Sequence, residues 1–181
     1  MGADGSRRPR LPSSRNARSH RGGCSPRRRD ALNEDFLDML AALLAVDARF
    51  VVVGAHAMAV HGVPRATGDL DIWIDTHPAN TKKVWQALVR FGAPVASLGV
   101  SRDTLNSPGV TVQIGLPPRR IDLLTEITGL DFERAWQSRV VHQVAGLDVP
   151  FISRAELIEN KRATGRPKDL ADLEILESQE R

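Results

Sequence analysis

The stretch Asp69-Leu70-Asp71-Ile72-Trp73-Ile74-Asp75 decides the fold of this chain, because polar and apolar residues alternate along a full strand length. Side chains in a strand point alternately to the two faces of the sheet. We therefore predict that the three acids and Trp73 share one face, while the aliphatic residues between them are buried on the other. The carboxylates of Asp69 and Asp71 repel each other, and a divalent cation with oxygen ligands would relieve that repulsion.

Two further features accompany this strand. A glycine turn, Val53-Gly54-Ala55, precedes it, and a lone acid lies in the apolar run Arg120-Ile121-Asp122-Leu123-Leu124. An isolated buried carboxylate is costly unless it is paired or bound to a metal. The alternative to metal binding by Asp69 and Asp71 is that they lie on a strand face exposed to solvent. Such a face would also explain Asp75 at the far end of the strand. It explains Asp122 badly, because apolar residues flank that acid.

Charge divides the 181-residue chain into two parts. Residues 1–30 hold nine arginines and two acids, a net charge of +7, whereas the remainder holds 16 basic and 20 acidic residues, a net charge of −4. The tail has few large apolar residues, so we predict a disordered tail over 1–30 and a single domain over 31–181. The tail is either an extension without a role or a segment that weakly attracts nucleic acid.

Cysteine content and hydropathy indicate the cellular compartment in which the chain is expected. Cys24 is the only cysteine, so the chain forms no intramolecular disulfide and no thiolate metal site. No apolar run is long enough to cross a bilayer, and no signal-peptide core follows the basic start. We expect a soluble protein of the cytoplasm, without membrane partners.

Apolar periodicity, caps and turn residues predict six helices and six strands. The predicted helices cover 34–46, 55–61, 78–91, 131–138, 153–164 and 167–177. The predicted strands cover 49–53, 69–75, 110–114, 119–124, 140–144 and 147–152. Residues 94–108 lack a pattern and are predicted to be a loop. This order predicts an α+β or α/β domain, with one mixed sheet flanked by helices and with helices at the C-terminal end.

The glycine turn, the D-x-D strand Asp69-Leu70-Asp71 and the later Asp122 resemble the polymerase-beta-type nucleotidyltransferase superfamily. More narrowly, Gly54-Ala55-His56-Ala57 and the stretch 65–71 are similar to minimal bacterial nucleotidyltransferases related to AbiEii-type toxins. The closing stretches 157–161 and 166–173 are similar to theirs as well. The resemblance covers about 49–176, and it implies a nucleotidyltransferase-like fold.

The resemblance also implies a two-metal mechanism with Mg²⁺. In that mechanism Asp69 and Asp71 hold the metal against a nucleoside triphosphate, and Asp122 completes the metal that activates an acceptor hydroxyl. The activity would be transfer of a nucleoside monophosphate from an NTP to that hydroxyl. By the narrower resemblance, the acceptor is a tRNA 3′ end, and the protein is the toxin of a toxin–antitoxin system with a cognate antitoxin.

Several residues are predicted to bind the nucleotide. The backbone at Gly54 and Ala55 would approach phosphate, although the superfamily often has Ser where this chain has Ala55, and the interval to Asp69 is longer than its commonest form. Lys161 lies on the apolar face of its helix, where it either reaches outward or binds the triphosphate as a catalytic cation. The weaker candidates of the same kind are Arg65, Arg166 and Lys168, and surface charge explains Lys168 better. Asp169 is predicted either to orient Lys161 or a substrate, or to be an acid favoured by the dipole at a helix start.

Two other functions remain open. A related minimal group of the same fold AMPylates a partner protein and acts as an antitoxin, so that its partner is a toxin. Alternatively, the chain is a catalytically degenerate binding module. His56 and His61 are expected to be core or surface residues and not zinc ligands, and Trp73 either stacks on a base or lies at the rim of the sheet.

Overall fold

The computed structural model describes residues 33–178, which form seven helices and a six-stranded mixed sheet. The predicted α+β fold, with helices flanking one mixed sheet and helices at the C-terminal end, is therefore confirmed. The tail predicted over 1–30 lies outside the described residues. In chain order the elements are α1 (Glu34–Ala45), β1 (Phe50–Val52), α2 (Gly54–Val60), β2 (Asp69–Ile74), α3 (Pro78–Phe91), α4 (Arg102–Asn106), β3 (Thr111–Ile114), β4 (Arg120–Leu124), α5 (Phe132–Ser138), β5 (Val140–Val144), β6 (Leu147–Phe151), α6 (Arg154–Thr164) and α7 (Pro167–Ser178).

The strand order places the two acid-bearing strands side by side. The sheet runs β3-β4-β2-β1-β6-β5, and β2 pairs in parallel with β4. β1 pairs in parallel with β6, while the remaining neighbours are antiparallel. Because β2 and β4 run in the same direction in register, residues at matching positions point to the same face of the sheet.

Local sequence explains where the first long helices begin and end. The Asn33 side chain accepts a hydrogen bond from the Phe36 N–H at 3.0 Å, which caps α1. Pro78 stands at the first turn of α3, and Gly92 ends that helix with a left-handed φ of 81°. Both boundaries agree with the sequence prediction.

The apolar face of β2 lies in the core. Leu70, Ile72 and Ile74 are fully buried, and one hydrophobic cluster extends from Phe36 on α1 to Leu176 on α7. Helix α1 packs against α3 and β6, and α6 packs against α7. Among residues 33–178, no helix combines the length and apolar composition that a membrane crossing requires.

The predicted loop over 94–108 is wrong in part, because α4 lies within it. Ser101 and Thr104 form a reciprocal capping box at the start of this five-residue helix, and Leu105 is fully buried. One helical turn is too short to show a periodic pattern. The single buried leucine fixes it against the core instead.

The expectations for Trp73 and Asp75 are wrong. Trp73 is 2% exposed, and its ring meets the Phe132 ring edge to face at 5.1 Å. Helix α5 therefore covers this end of the polar face, and Trp73 neither lies at a rim nor is free to stack on a base. Asp75 is paired with Arg49 at 3.0 Å and its side chain is only 14% exposed, so it is not part of a solvated face.

Candidate active site

The three acids predicted from sequence are brought together on β2 and β4. Asp71 and Asp122 are Cα partners in the parallel ladder, and Asp69 is the partner of Arg120. Neighbouring strands lie about 4.8 Å apart, so Asp71 and Asp122 stand side by side on one face. Asp122 is 6% exposed, as expected for an acid in an apolar strand.

Arg120 belongs to this cluster, although the sequence analysis did not select it. Its Nη2 atom lies 2.5 Å from Asp69 Oδ2, and its Nε atom lies 3.0 Å from Asp122 Oδ1. The spacing of two residues between Arg120 and Asp122 within a strand could have identified it. The sequence does not show, however, which neighbouring strand an arginine at the start of a strand will contact.

Asp71 lies where three effects oppose its ionisation. Burial, then the charges of Asp69 and Asp122, raise its pKa to about 6, while Lys168 and Arg120 act in the opposite direction. Its carboxylate rests against Gly54, where a Cβ atom would overlap Oδ2. Gly54 also has a φ of +65°, so both space and backbone conformation favour glycine at the start of α2.

The loop before β2 contributes to the position of Asp69. The Thr67 hydroxyl donates a hydrogen bond to Asp69 Oδ1. His56, on α2, lies near Asp69 and packs edge to face on Phe36 at 5.7 Å. Burial lowers the His56 pKa, and the neighbouring Asp69 partly offsets this effect. His61, at the end of α2, contacts the Ile152 carbonyl oxygen through Nε2 at 2.8 Å.

A second cluster gathers four of the residues predicted to bind nucleotide. Lys161 on α6 is 5% exposed, and its Nζ lies 3.3 Å from Asp169 Oδ1 and 2.6 Å from Asp172 Oδ2. Arg65 also pairs with Asp172, at 3.1 Å, and Arg166 pairs with Asp169. These five side chains form one ion-pair network, here called the α6–α7 network.

The α6–α7 network engages Lys161 on two sides. Its ammonium group is buried between two carboxylates, so the alternative of a lysine that reaches outward is wrong, and binding to a triphosphate stays a prediction. Asp172 was missed, although its spacing of three residues from Asp169 puts both acids on one face of α7. Both are nearly fully buried, at 5% and 2% exposure.

The start of α7 connects the two clusters electrostatically. Lys168 is exposed, and its charge offsets part of the rise in the pKa of Asp71 that burial, Asp69 and Asp122 cause. The charge of Asp71 in turn raises the pKa of Arg166, although the hydrogen bond to Asp169 is the larger cause. Lys168 on α7 and Arg166 just before it therefore interact electrostatically with Asp71 on β2. Ala55, in contrast, is buried at 6% exposure and offers only its backbone.

The carboxylates of Asp69, Asp71 and Asp122 are donors of the chemical type that a hard divalent cation prefers. Asp122 Oδ1 is buried and has no hydrogen-bond partner among residues 33–178. Carboxylate oxygens are the ligands that Mg²⁺ takes in proteins. Among residues 33–178, no group of three His, Cys, Asp or Glu side chains is arranged so that it could hold a metal ion. Arg120 lies between Asp69 and Asp122, where it contacts both.

Comparison with known proteins adds no family assignment. No protein-family model and no curated protein matches the chain. The resemblance to nucleotidyltransferases therefore stays a prediction from the sequence motifs.

Proposed function

We propose that this chain is a Mg²⁺-dependent nucleotidyltransferase that moves a nucleoside monophosphate from an NTP to a hydroxyl group. The observation that carries the proposal is the register of β2 and β4, which sets Asp71 beside Asp122 on one face. Residues far apart in sequence converge there, and one of their oxygens lacks any hydrogen bond within the described chain. A cluster of ionisable groups that contains one strongly perturbed pKa, here that of Asp71, is typical of functional sites.

Each side chain of the site has a proposed part. Asp69, Asp71 and Asp122 would hold the metal, which when bound would neutralise triphosphate charge and acidify the acceptor hydroxyl. Gly54 keeps space beside the Asp71 carboxylate. Lys168, exposed and electrostatically coupled to Asp71, is placed to attract the anionic triphosphate. Lys161 acts at a distance, because it fixes the two acids of α7 and with them the position of Lys168.

The acceptor and the biological role follow from the resemblance to AbiEii-type toxins. We propose a tRNA 3′ end as acceptor and a cognate antitoxin as partner. The same chemistry applied to a protein hydroxyl would be AMPylation by an antitoxin of this fold. Labelling in a cell lysate separates the two, since label would enter either RNA or a protein band.

The deciding experiment is incubation of the purified chain with each labelled NTP, Mg²⁺ and total tRNA. We expect label in tRNA with the wild type and none with Asp71→Asn or Asp122→Asn. The matched control is Asp148→Asn, which removes an exposed acid on β6 and should keep full activity. Label that enters neither RNA nor protein with the wild type would contradict the proposal.

A second function is favoured by one observation. Lys161 is enclosed by Asp169 and Asp172, so the described conformation presents no free lysine from α6 to a triphosphate. A degenerate binding module would have this property. Calorimetry with Mg²⁺-ATP and Mg²⁺-CTP discriminates, because the enzyme requires metal-dependent nucleotide affinity and a module that binds another partner does not.

A further inference from the structure

Arg120 lies between two of the three acids of the candidate active site. Arg120 and Asp122 are two residues apart on β4 and point to the same face, while Asp69 is the Cα partner of Arg120 on β2. One guanidinium group therefore meets both carboxylates, through Nη2 to Asp69 at 2.5 Å and Nε to Asp122 at 3.0 Å. It supplies positive charge where the proposed function requires a metal.

The contact with Asp122 is close but poorly aligned. Neither Arg120 Nε nor Asp122 Oδ1 has a hydrogen-bond partner among residues 33–178, although both atoms are buried. A buried donor or acceptor without a partner is costly. Arg120 and Asp122 therefore attract each other as opposite charges without forming a hydrogen bond. Asp122 Oδ1 can still accept a cation that binds it more closely.

We propose that Arg120 holds Asp69 and Asp122 in the metal-free chain and competes with the divalent cation for them. Cation binding then requires the guanidinium group to release at least one carboxylate. Its side chain is 27% exposed, so one side of it already borders solvent. This inference rests on the proposed function, and it assigns Arg120 the part of a competing internal cation.

The test is Mn²⁺ binding, followed by the electron paramagnetic resonance signal of the free ion, with Mg²⁺ as competitor. Arg120→Met keeps a long flexible side chain and removes the charge. We expect it to bind Mn²⁺ more tightly than the wild type by roughly three- to tenfold, the effect of one partly buried ion pair. In metal-free buffer, Arg120→Met should melt at a lower temperature, and saturating Mn²⁺ should raise its melting temperature more than that of the wild type.

Arg119→Met is the matched control. Arg119 is adjacent in sequence but its side chain is 63% exposed, and it pairs at the surface with Asp35 at 3.4 Å. Loss of its charge should leave Mn²⁺ affinity close to the wild-type value. A general effect of net charge would change both variants equally, and that result would overturn the proposal.

The outcomes separate this inference from the proposed function. Equal Mn²⁺ affinity in the wild type and Arg120→Met would refute the competition and leave the metal site intact. No binding by either protein would refute the metal site, and the competition with it. If Arg120→Met does not fold, Arg120→Lys replaces it. A lysine ammonium bridges two carboxylates less well, so affinity should still exceed that of the wild type, and an affinity no higher than the wild type's would count against the proposal.

Discussion

Asp71 is a residue whose ionised form is disfavoured in the folded chain. Its neighbours are Asp69 and Asp122, and its pKa rises to about 6 because of burial first and these two charges second. A carboxylate that serves only structure would be expected to gain a partner on folding, which lowers its pKa. The opposite shift at Asp71 is what a site prepared for an added cation would show.

Asp71→Asn should therefore stabilise the protein near neutral pH. With a pKa raised from 3.8 to about 6 on folding, the folded state binds the extra proton between these values. The free energy of unfolding accordingly falls as pH rises from about 4 to about 6. Above that range the loss is complete and amounts to up to about 3 kcal/mol. We expect the variant to unfold at higher urea concentration at pH 8 and to match the wild type near pH 4. Equal midpoints at pH 8 would show that Asp71 is not destabilised by its charge.

At the scale of elements, alternation along β2 predicted which residues share a face, because that pattern depends only on strand geometry. The pairing of β2 with β4 brought Arg120 to Asp69, and no local pattern encodes which strands become neighbours. Asp172 was missed for the same reason, because its partners lie on α6 and in the loop before β2 and no local pattern predicts those contacts. Helix α4 was missed for a different reason, since a single turn shows no period.

The α6–α7 network should stabilise the packing of these two helices. Lys161→Met would leave Asp169 and Asp172 buried with fewer positive partners, and breaking a buried ion pair on one side costs about 3 kcal/mol or more. We expect urea denaturation to show a loss of that size in the free energy of unfolding without any substrate. Lys168→Met, which removes an exposed lysine from α7, is the control and should change stability little.

The result for Lys161→Met also distinguishes two parts for this residue. If Lys161 served the triphosphate alone, its replacement would lower nucleotide affinity and leave the stability of the substrate-free chain unchanged. A Lys161→Met variant as stable as the wild type would thus contradict the proposal that Lys161 stabilises the packing of α6 on α7. Nucleotide affinity should fall in both lysine variants. In Lys161→Met the cause would be displacement of α7, and in Lys168→Met it would be the loss of the positive charge.

Across the whole molecule, opposite net charges are separated along the chain. Residues 1–30 carry +7 and the remainder −4, so the sequence pI of about 9.6 is due to the tail. The hydrophobic cluster that unites the described elements extends from Phe36 to Leu176. Folding and any attraction to RNA are therefore expected to depend on different parts of the chain.

Removal of residues 1–30 should leave thermal unfolding unchanged and weaken RNA binding. Nine arginines attract phosphate and release counterions, so the full chain should lose RNA affinity steeply as salt rises, while the truncated chain shows little salt dependence. Filter binding at several salt concentrations measures this, and calorimetry gives the melting temperature. A full-length variant with the nine tail arginines changed to glutamine is the control for length, and it should behave as the truncated chain does. Equal salt dependence with and without the tail would instead place the RNA-binding surface on the acidic folded part, where Arg166 and Lys168 are the residues to test next.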